Sequence, residues 1–395
     1  MVVSKYSSFY FTAVDPDYSI KGSRDPLGFQ TLWQHQGRKL IPYLSTVSSN
    51  LQDFQIMCLA YHFYDNEPDT KFVKYFLRFE QLMAYVRLSA DTNSGFNGVD
   101  KVRKKIRDAS KLSISNLGAD EILSNQRAYG IWGKYNRPFQ EIGISKDSHF
   151  SEVFQRKIDS IPEKNELLKI VKKIRDNEKA ELSISVLDVL KPLLIVTNEE
   201  KQFFSRLILE VTIPNPFQNQ LLAYIKKTAL PNEFNLYKFL EGFDSSLEPN
   251  SQIRKIVADI RATERILSPL NRILRYLQTK PHWTKQSIEE DKYISKCKVG
   301  VKYNFTEETD ENKVKNAFIE TMFKDNWNLV TDLVSRNSLV TDLRGGSAWL
   351  TINKDLVEIH HSEGGFIHND YNPEIHYDNG YFIDTYLHLY RQINK

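Results

Sequence analysis

The sequence has only two cysteines, Cys58 and Cys297, among 395 residues. So few thiols can build neither a disulfide framework nor a cysteine-rich zinc site. The sequence has no run of about 18 consecutive apolar residues, and its first residues contain no continuous apolar segment of the signal-peptide type. These absences predict a cytoplasmic protein that does not enter a membrane.

Sequence motifs typical of enzymes and of nucleotide-binding proteins are also scarce. Gly345-Gly346 stands alone, without a phosphate-binding or dinucleotide glycine pattern, and no G-x-S-x-G segment occurs. Cys58 falls on an apolar helix face, which is typical of a core residue. The sequence therefore predicts no cofactor and favours a non-enzymatic protein, although Ser/His/Asp catalysis stays open on composition.

The residues that are present predict a mainly α fold. Hydrophobic residues make up 41% and charged residues 26% of the chain, as in ordinary globular proteins. Apolar side chains recur at spacings of three and four over most of the sequence. We expect a multi-helical bundle with a small C-terminal α+β module, divided into an N-terminal helical region (1–95), a basic unit (96–160), a helical bundle (161–303) and the α+β module (304–395).

Several elements are predicted by their local pattern. Thr197 followed by Glu199 and Glu200 predicts a helix N-terminus, and Pro269 should kink or split the long helix expected over 251–278. The other expected elements are helices over 51–64, from a cap at Asn66 onward, 120–129, 131–142, 148–158, 216–227, 234–243 and 381–393, a helical pattern over 163–194, and a hairpin of 348–353 with 356–361.

Charge is segregated along a chain whose formal net charge is only +3. Residues 100–137 contain nine basic and four acidic side chains, and residues 254–285 contain eight basic and two acidic ones. Residues 355–384 contain seven acids, four histidines and no Lys or Arg. This segregation predicts that the basic and acidic regions face different partners.

The basic unit suggests a surface for nucleic acid. Its short helices and tight turns resemble a helix-turn-helix arrangement, with the corner of a helical bundle as the alternative. Aromatic residues such as Tyr129, Trp132 and Tyr135 lie among the cations and could either stack on bases or pack inward. We predict that seven cations form one electropositive surface for nucleic-acid phosphate or an acidic partner: Lys101, Arg103, Lys104, Lys105, Arg107, Lys134 and Arg137.

The C-terminal histidines and acids are the other group of residues that could bind a metal or catalyse a reaction. Imidazole and carboxylate groups ligate zinc, manganese or magnesium, but the spacings here match no standard ligand set. We predict no metal and expect structural or solvent-facing histidines, with a metal site or a nuclease-type catalytic site as alternatives. The group comprises His360, His361, Glu363, His368, Asp370, His376, Asp378 and Asp384.

Scattered segments resemble a known family. They are RDPLGFQ at 24–30, IPYLSTVSS at 41–49, YGIWGKYNRPFQEIGI at 129–144 and YDNGYFIDTYLHLYR at 377–391. They resemble a loosely defined family of uncharacterised bacterial proteins found in mobile and antiviral defence islands beside helicases, ATPases or nucleases. The resemblance implies an accessory subunit and implies nothing about a reaction.

Together these observations favour a helical scaffold subunit of a multi-component antiviral defence complex. Its expected partners are other protein subunits, such as an ATPase, helicase or nuclease, and DNA that binds the basic surface. Two other functions stay open: a metal-dependent nuclease or other hydrolase that uses the C-terminal His/Asp group, and a stand-alone DNA-binding regulator.

Overall fold

The structure, a computed structural model, describes residues 25–64, 69–107, 110–210, 216–228, 233–298, 300, 302–365, 367 and 369–395. Within these residues the fold is mainly α-helical with two small antiparallel sheets, which confirms the predicted fold class. The helices are α1 (Phe29–Arg38), α2 (Leu51–Tyr64), α3 (Thr70–Ala90), α4 (Val99–Arg107), α5 (Gln126–Tyr129), α6 (Ile131–Ile142), α7 (Phe150–Asp159), α8 (Lys164–Asp176), α9 (Val186–Leu190), α10 (Asn198–Phe204), α11 (Pro216–Lys227), α12 (Leu236–Ser245), α13 (Gln252–Leu277), α14 (Lys285–Glu289), α15 (Lys292–Cys297), α16 (Asp310–Met322), α17 (Asn326–Leu343) and α18 (Ile383–Asn394). The strands are β1 (Lys111–Ser115), β2 (Lys179–Ser183), β3 (His282–Thr284), β4 (Leu350–Asn353) and β5 (Leu356–Ile359).

Backbone contacts group the chain into two compact units. The first contains, in its described part, 25–36, Asn235–Asp244 and Glu248–Asn379, and the second contains Gly37–Phe234, Ser245–Leu247 and Gly380–Lys395. Each unit combines stretches that are far apart in sequence, whereas the sequence analysis divided the chain into four consecutive segments. Helices that are distant along the chain pack together because each must bury its apolar face.

The second unit is built around α3. This helix contacts α2, α6, α8, α9 and β1. Nearly all of its residues from Tyr75 to Leu88 are buried, so the polar side chains there need partners inside the protein. Arg78 donates from Nε to the carbonyl of Ile174 at 3.1 Å, and Gln81 donates from Nε2 to the carbonyl of Ser115 at 2.8 Å. Polar side chains of α3 thereby bind the backbone of α8 and of β1.

Two sequence predictions in this unit were wrong. Residues 120–129 are helical only in α5, and the helical pattern expected over 163–194 is interrupted by β2. Strand β2 pairs antiparallel with β1, with Lys111 opposite Ser183 and Ser115 opposite Lys179. Because the two strands are far apart in sequence, neither local pattern reveals the pairing.

Helix N-termini in this unit follow local capping rules. Thr197 caps α10: its Oγ1 accepts a hydrogen bond from the backbone N–H of Glu200, whose carboxylate accepts one from the N–H of Thr197. This capping box confirms the sequence prediction. Asn66, the cap expected for the next helix after α2, lies outside the described residues, and Asp69 is the N-cap of α3.

The first unit is organised by α13, which contacts α15 and α16. Its buried face includes Ile260, Leu267 and Leu270. Pro269 lies inside the helix without splitting it, because burial of the apolar residues around it offsets the backbone hydrogen bond that proline cannot donate.

The sheet of the first unit has the strand order β3-β5-β4. Strands β4 and β5 form the predicted hairpin, with Asn353 opposite Leu356, and β3 adds to the other edge of β5. Asn337 of α17, which is fully buried, accepts hydrogen bonds from the backbone N–H groups of Trp349 at 2.8 Å and Leu350 at 3.3 Å. This side chain joins the sheet to α17.

Candidate nucleic-acid interface

Helix α4 carries five of the seven predicted cations. Val102 is fully buried and anchors one face of the helix. Gly98, at φ +87°, precedes the helix where a Cβ atom would come within 2.4 Å of the carbonyl oxygen of Ile122. Lys101, Lys104 and Lys105 have the spacing of neighbours on one helix face. The buried valine thus directs this lysine-rich face outward.

Three of these lysines line one open groove of about 490 Å³ in the second unit. We call it the lysine groove. It is formed by Lys101, Lys104 and Lys105 of α4, Lys111, Leu112 and Ser113 of β1, Tyr85 of α3, and Ala119 and Asp120. The sequence analysis missed Lys111 as a member, because only the pairing of β1 with β2 fixes the strand beside α4.

The lysine groove is net positive. The one acid among its described lining residues, Asp120, accepts hydrogen bonds from the hydroxyls of Ser113, at 3.0 Å, and Ser115. Lys105 donates from Nζ to the carbonyl of Ala119 at 2.8 Å, and burial lowers its pKa, with repulsion from Lys101 adding to the effect and Asp120 opposing it. Within the described chain, Lys101 and Lys104 form no ion pair. These two ammonium groups are therefore available for an external anion.

The other predicted cations have different surroundings. Arg103 pairs with Asp100 at 3.0 Å, and Arg137 pairs with Glu141 at 2.8 Å. Arg107 is exposed near the end of α4, and Lys134 of α6 lines a separate cavity. The structure thus brings three of the seven cations to one groove.

Four of the six basic residues of α13 pair with acids of the first unit. Arg265 pairs with Glu374 and Arg272 with Asp378, while Arg254 and Arg261 both pair with Asp244, at 3.0 and 3.6 Å. Glu374 and Asp378 belong to the acidic stretch 355–384, so part of that stretch neutralises α13 within the same unit. The lysine groove differs from this helix because its lysines form no ion pair with any described residue.

Most aromatic rings of the basic unit pack inward. Trp132 contacts Phe72 and Phe76, at ring-centroid distances of 5.8 and 5.4 Å, and Tyr135 is buried. Tyr129 is the exception, with 58% of its surface exposed. Of the two roles left open by the sequence, the packing role holds for Trp132 and Tyr135.

The C-terminal histidines have local partners. His360 Nε2 lies 2.7 Å from the hydroxyl of Thr351, the ring of His361 contacts Trp349, and His376 accepts at Nδ1 from the backbone N–H of Asn372 at 2.8 Å. His368 lies outside the described residues. Among the residues that the structure describes, no three His, Cys, Asp or Glu side chains converge as a metal site would require.

Both cysteines are fully buried. Burial raises the pKa of the Cys297 thiol to about 12 and raises that of Cys58 as well. A buried thiol with a raised pKa is a poor nucleophile and a poor metal ligand, so the placement of Cys58 in the core agrees with the sequence prediction.

Comparison of the chain with family models, with curated proteins and with solved structures finds no match. In the part of the chain that the structure describes, no helix is both long and apolar enough to cross a bilayer.

Proposed function

We propose that the protein is a non-enzymatic helical accessory subunit of a multi-component antiviral defence complex, and that it contacts nucleic-acid phosphate through the lysine groove. Unpaired ammonium groups attract the phosphate backbone without reading base sequence. The proposed contact is consequently general for nucleic acid and does not select one sequence.

The main support for the proposed phosphate contact is the difference between two basic regions, α13 and the lysine groove. Arg265 and Arg272 of α13 already have carboxylate partners, so a phosphate would have to compete with them. Lys101 and Lys104 have no ion pair within the described chain. Binding phosphate at the groove therefore requires no internal ion pair to break, and it releases counterions from the nucleic acid.

The placement in a defence complex is supported by the resemblance of the segments at 24–30, 41–49, 129–144 and 377–391 to proteins of defence islands. The partners proposed on this ground are an ATPase, a helicase or a nuclease. Affinity purification of the tagged chain from its native host, followed by mass spectrometry, should recover such a subunit in stoichiometric amount. Purification of the chain alone would contradict this part of the proposal.

A double charge reversal tests the phosphate contact. We expect Lys101→Glu with Lys104→Glu to weaken binding of a labelled DNA duplex and of its single strand. The slope of log affinity against log salt should flatten by up to about 0.9 for each lost duplex contact. Lys105 is left intact because it holds the carbonyl of Ala119.

The matched control is Lys169→Glu with Lys172→Glu. These two exposed lysines of α8 give the same change in net charge at another place in the unit. The control should retain most of the affinity and the wild-type salt slope. Equal affinity and slope in the groove variant and the wild-type protein would overturn the proposed contact.

A further inference from the structure

The second unit contains a polar cavity of about 190 Å³, separate from the lysine groove. We call it the Arg87 cavity. Its walls come from α2, α3 and α6 and from residues 95–97. The groups that matter for its chemistry are Asp53 of α2, Glu80 and Arg87 of α3, and Lys134 and Tyr135 of α6.

Arg87 has a hydrogen-bond donor without an acceptor. Its side chain is only 5% exposed and pairs through one terminal nitrogen with Asp53. Its Nε is buried and has no hydrogen-bond partner in the described structure. A buried guanidinium N–H without an acceptor is costly. An acceptor atom supplied by a ligand in the cavity would remove that cost.

Lys134 supplies a second donor to the same cavity. Its side chain is half-buried and forms no ion pair in the described part of the chain. Asp53 offsets the charge of Arg87, so the ammonium of Lys134 is balanced only when Glu80 is ionised.

Glu80 is 3% exposed. Its Oε1 accepts from the backbone N–H of Ile131 at 2.6 Å, and its Oε2 accepts from Gln126 Nε2 at 3.0 Å. Burial raises its pKa to about 7; the two hydrogen bonds and Arg87 oppose this effect, and repulsion from Asp53 adds to it. Below that pH Glu80 is neutral and the cavity carries one net positive charge.

The hydroxyl of Tyr135 is the remaining titratable group among the described residues that line the cavity. It accepts a hydrogen bond from the backbone N–H of Asn50 at 2.9 Å. Burial raises its pKa far above the physiological range, so it stays neutral. A ligand with one negative charge therefore neutralises the net positive charge of the cavity. A dianion brings a second negative charge, which no cation of the cavity balances and which Asp53 repels.

We propose that the Arg87 cavity binds the carboxylate group of a small molecule, with Arg87 Nε and Lys134 Nζ as its donors. Binding favours the neutral form of Glu80, because the carboxylate adds a negative charge beside it. Binding is therefore coupled to proton uptake and weakens as the pH rises above 7. This site is independent of the proposed phosphate contact, which uses Lys101 and Lys104.

The test uses the full chain with acetate, glycolate and sulfate as probes, each at ionic strength matched with NaCl. Binding is followed by NMR chemical shifts and by the midpoint of thermal unfolding. We expect acetate or glycolate to bind in the cavity more tightly than sulfate, which is a dianion at every pH tested. Their affinity should fall by up to about tenfold per pH unit above 7, as one coupled proton requires.

Two variants separate a binding role from a structural one. Lys134→Met removes a donor at a half-buried position and should lower carboxylate affinity at least about tenfold, as loss of one charged hydrogen bond predicts. Glu80→Gln keeps a neutral group of the same shape and should bind with little dependence on pH. Lys101→Met, the matched control in the lysine groove, should bind carboxylate as the wild-type protein does.

Three outcomes would overturn the proposal. They are the absence of acetate and glycolate binding, tighter binding of sulfate than of either carboxylate in the Arg87 cavity, and unchanged carboxylate affinity in Lys134→Met. Loss of DNA binding in the groove variant, by contrast, leaves this proposal intact, since neither Lys101 nor Lys104 lines the Arg87 cavity.

Discussion

The carboxylate of Glu80 accepts a hydrogen bond from the backbone N–H of Ile131 at 2.6 Å, so a side chain from the middle of α3 caps the first turn of α6. Gly130, the N-cap residue of α6, has no side chain to do this. The unpaired N–H groups of a helix N-terminus require an acceptor when they are buried. Here the acceptor comes from another helix and is also part of the Arg87 cavity.

This contact predicts that Gly130 does not tolerate a side chain. A Cβ atom at Gly130 would come within 2.5 Å of both Glu80 Oε1 and the carbonyl oxygen of Gln126. We expect Gly130→Ala to lower the free energy of unfolding by about 1–3 kcal/mol, as overpacking does. Urea unfolding measures the change. Gly118→Ala, where no atom lies within 4 Å of the added Cβ, should change it by less than about 0.5 kcal/mol, and equal effects of the two substitutions would contradict the prediction.

The raised pKa of Glu80 predicts a specific dependence of stability on pH. Burial raises this pKa from 4.5 to about 7, so the folded protein holds a proton that the unfolded chain releases. The stabilisation that comes from protonated Glu80 is complete below about pH 4.5 and is lost as the pH rises to about 7. The free energy of unfolding of the wild-type protein minus that of Glu80→Gln should fall by about 2–3 kcal/mol over this window. Parallel curves for the two proteins would show that the prediction is wrong, and the exposed substitution Glu308→Gln is the control.

The buried pair of Lys157 and Glu200 predicts a large loss on removal of one partner. Their side chains are 2% and 0% exposed, and Nζ lies 2.9 Å from Oε2. Lys157→Met leaves the carboxylate buried without its cation and should cost about 3–5 kcal/mol of unfolding free energy. Adding Glu200→Gln should recover part of that loss.

The control for this pair is Lys313→Met, which removes an ion pair with Asp310 in which the side chains are 71% and 97% exposed. Such pairs contribute little, so the change should stay below about 1 kcal/mol. Chemical denaturation of the three variants checks the prediction. A loss in Lys157→Met no larger than in the control would refute it.

The buried amide of Asn337 predicts a loss of stability in the first unit. Asn337→Leu keeps the approximate volume but leaves the N–H groups of Trp349 and Leu350 without their acceptor. We expect a cost of about 1–3 kcal/mol, measured by thermal unfolding. Asn328→Leu, at an exposed position of the same helix, should cost much less, and a comparable loss there would count against a specific role for Asn337.

Local sequence determined the parts of the fold whose interactions lie within a few residues. Helices α6 and α11 occupy the predicted residues 131–142 and 216–227, and the capping box at Thr197 forms as expected. The β4–β5 hairpin is likewise confirmed, because its strands are joined by a short turn in which Lys354 adopts φ +56°. In each case the residues that specify the element also form it.

The tertiary structure decided what depends on distant residues. Strands β1 and β2 form only because each finds a partner far along the chain, and that pairing places Lys111 beside the lysines of α4. Both α4 and α13 are basic in composition. Only the fold determined that Arg265 and Arg272 of α13 pair with carboxylates and that Lys101 and Lys104 form no ion pair with the described residues. Charge along a sequence fixes how many ions there are, whereas their pairing depends on which side chains the packing of helices brings within a few ångströms.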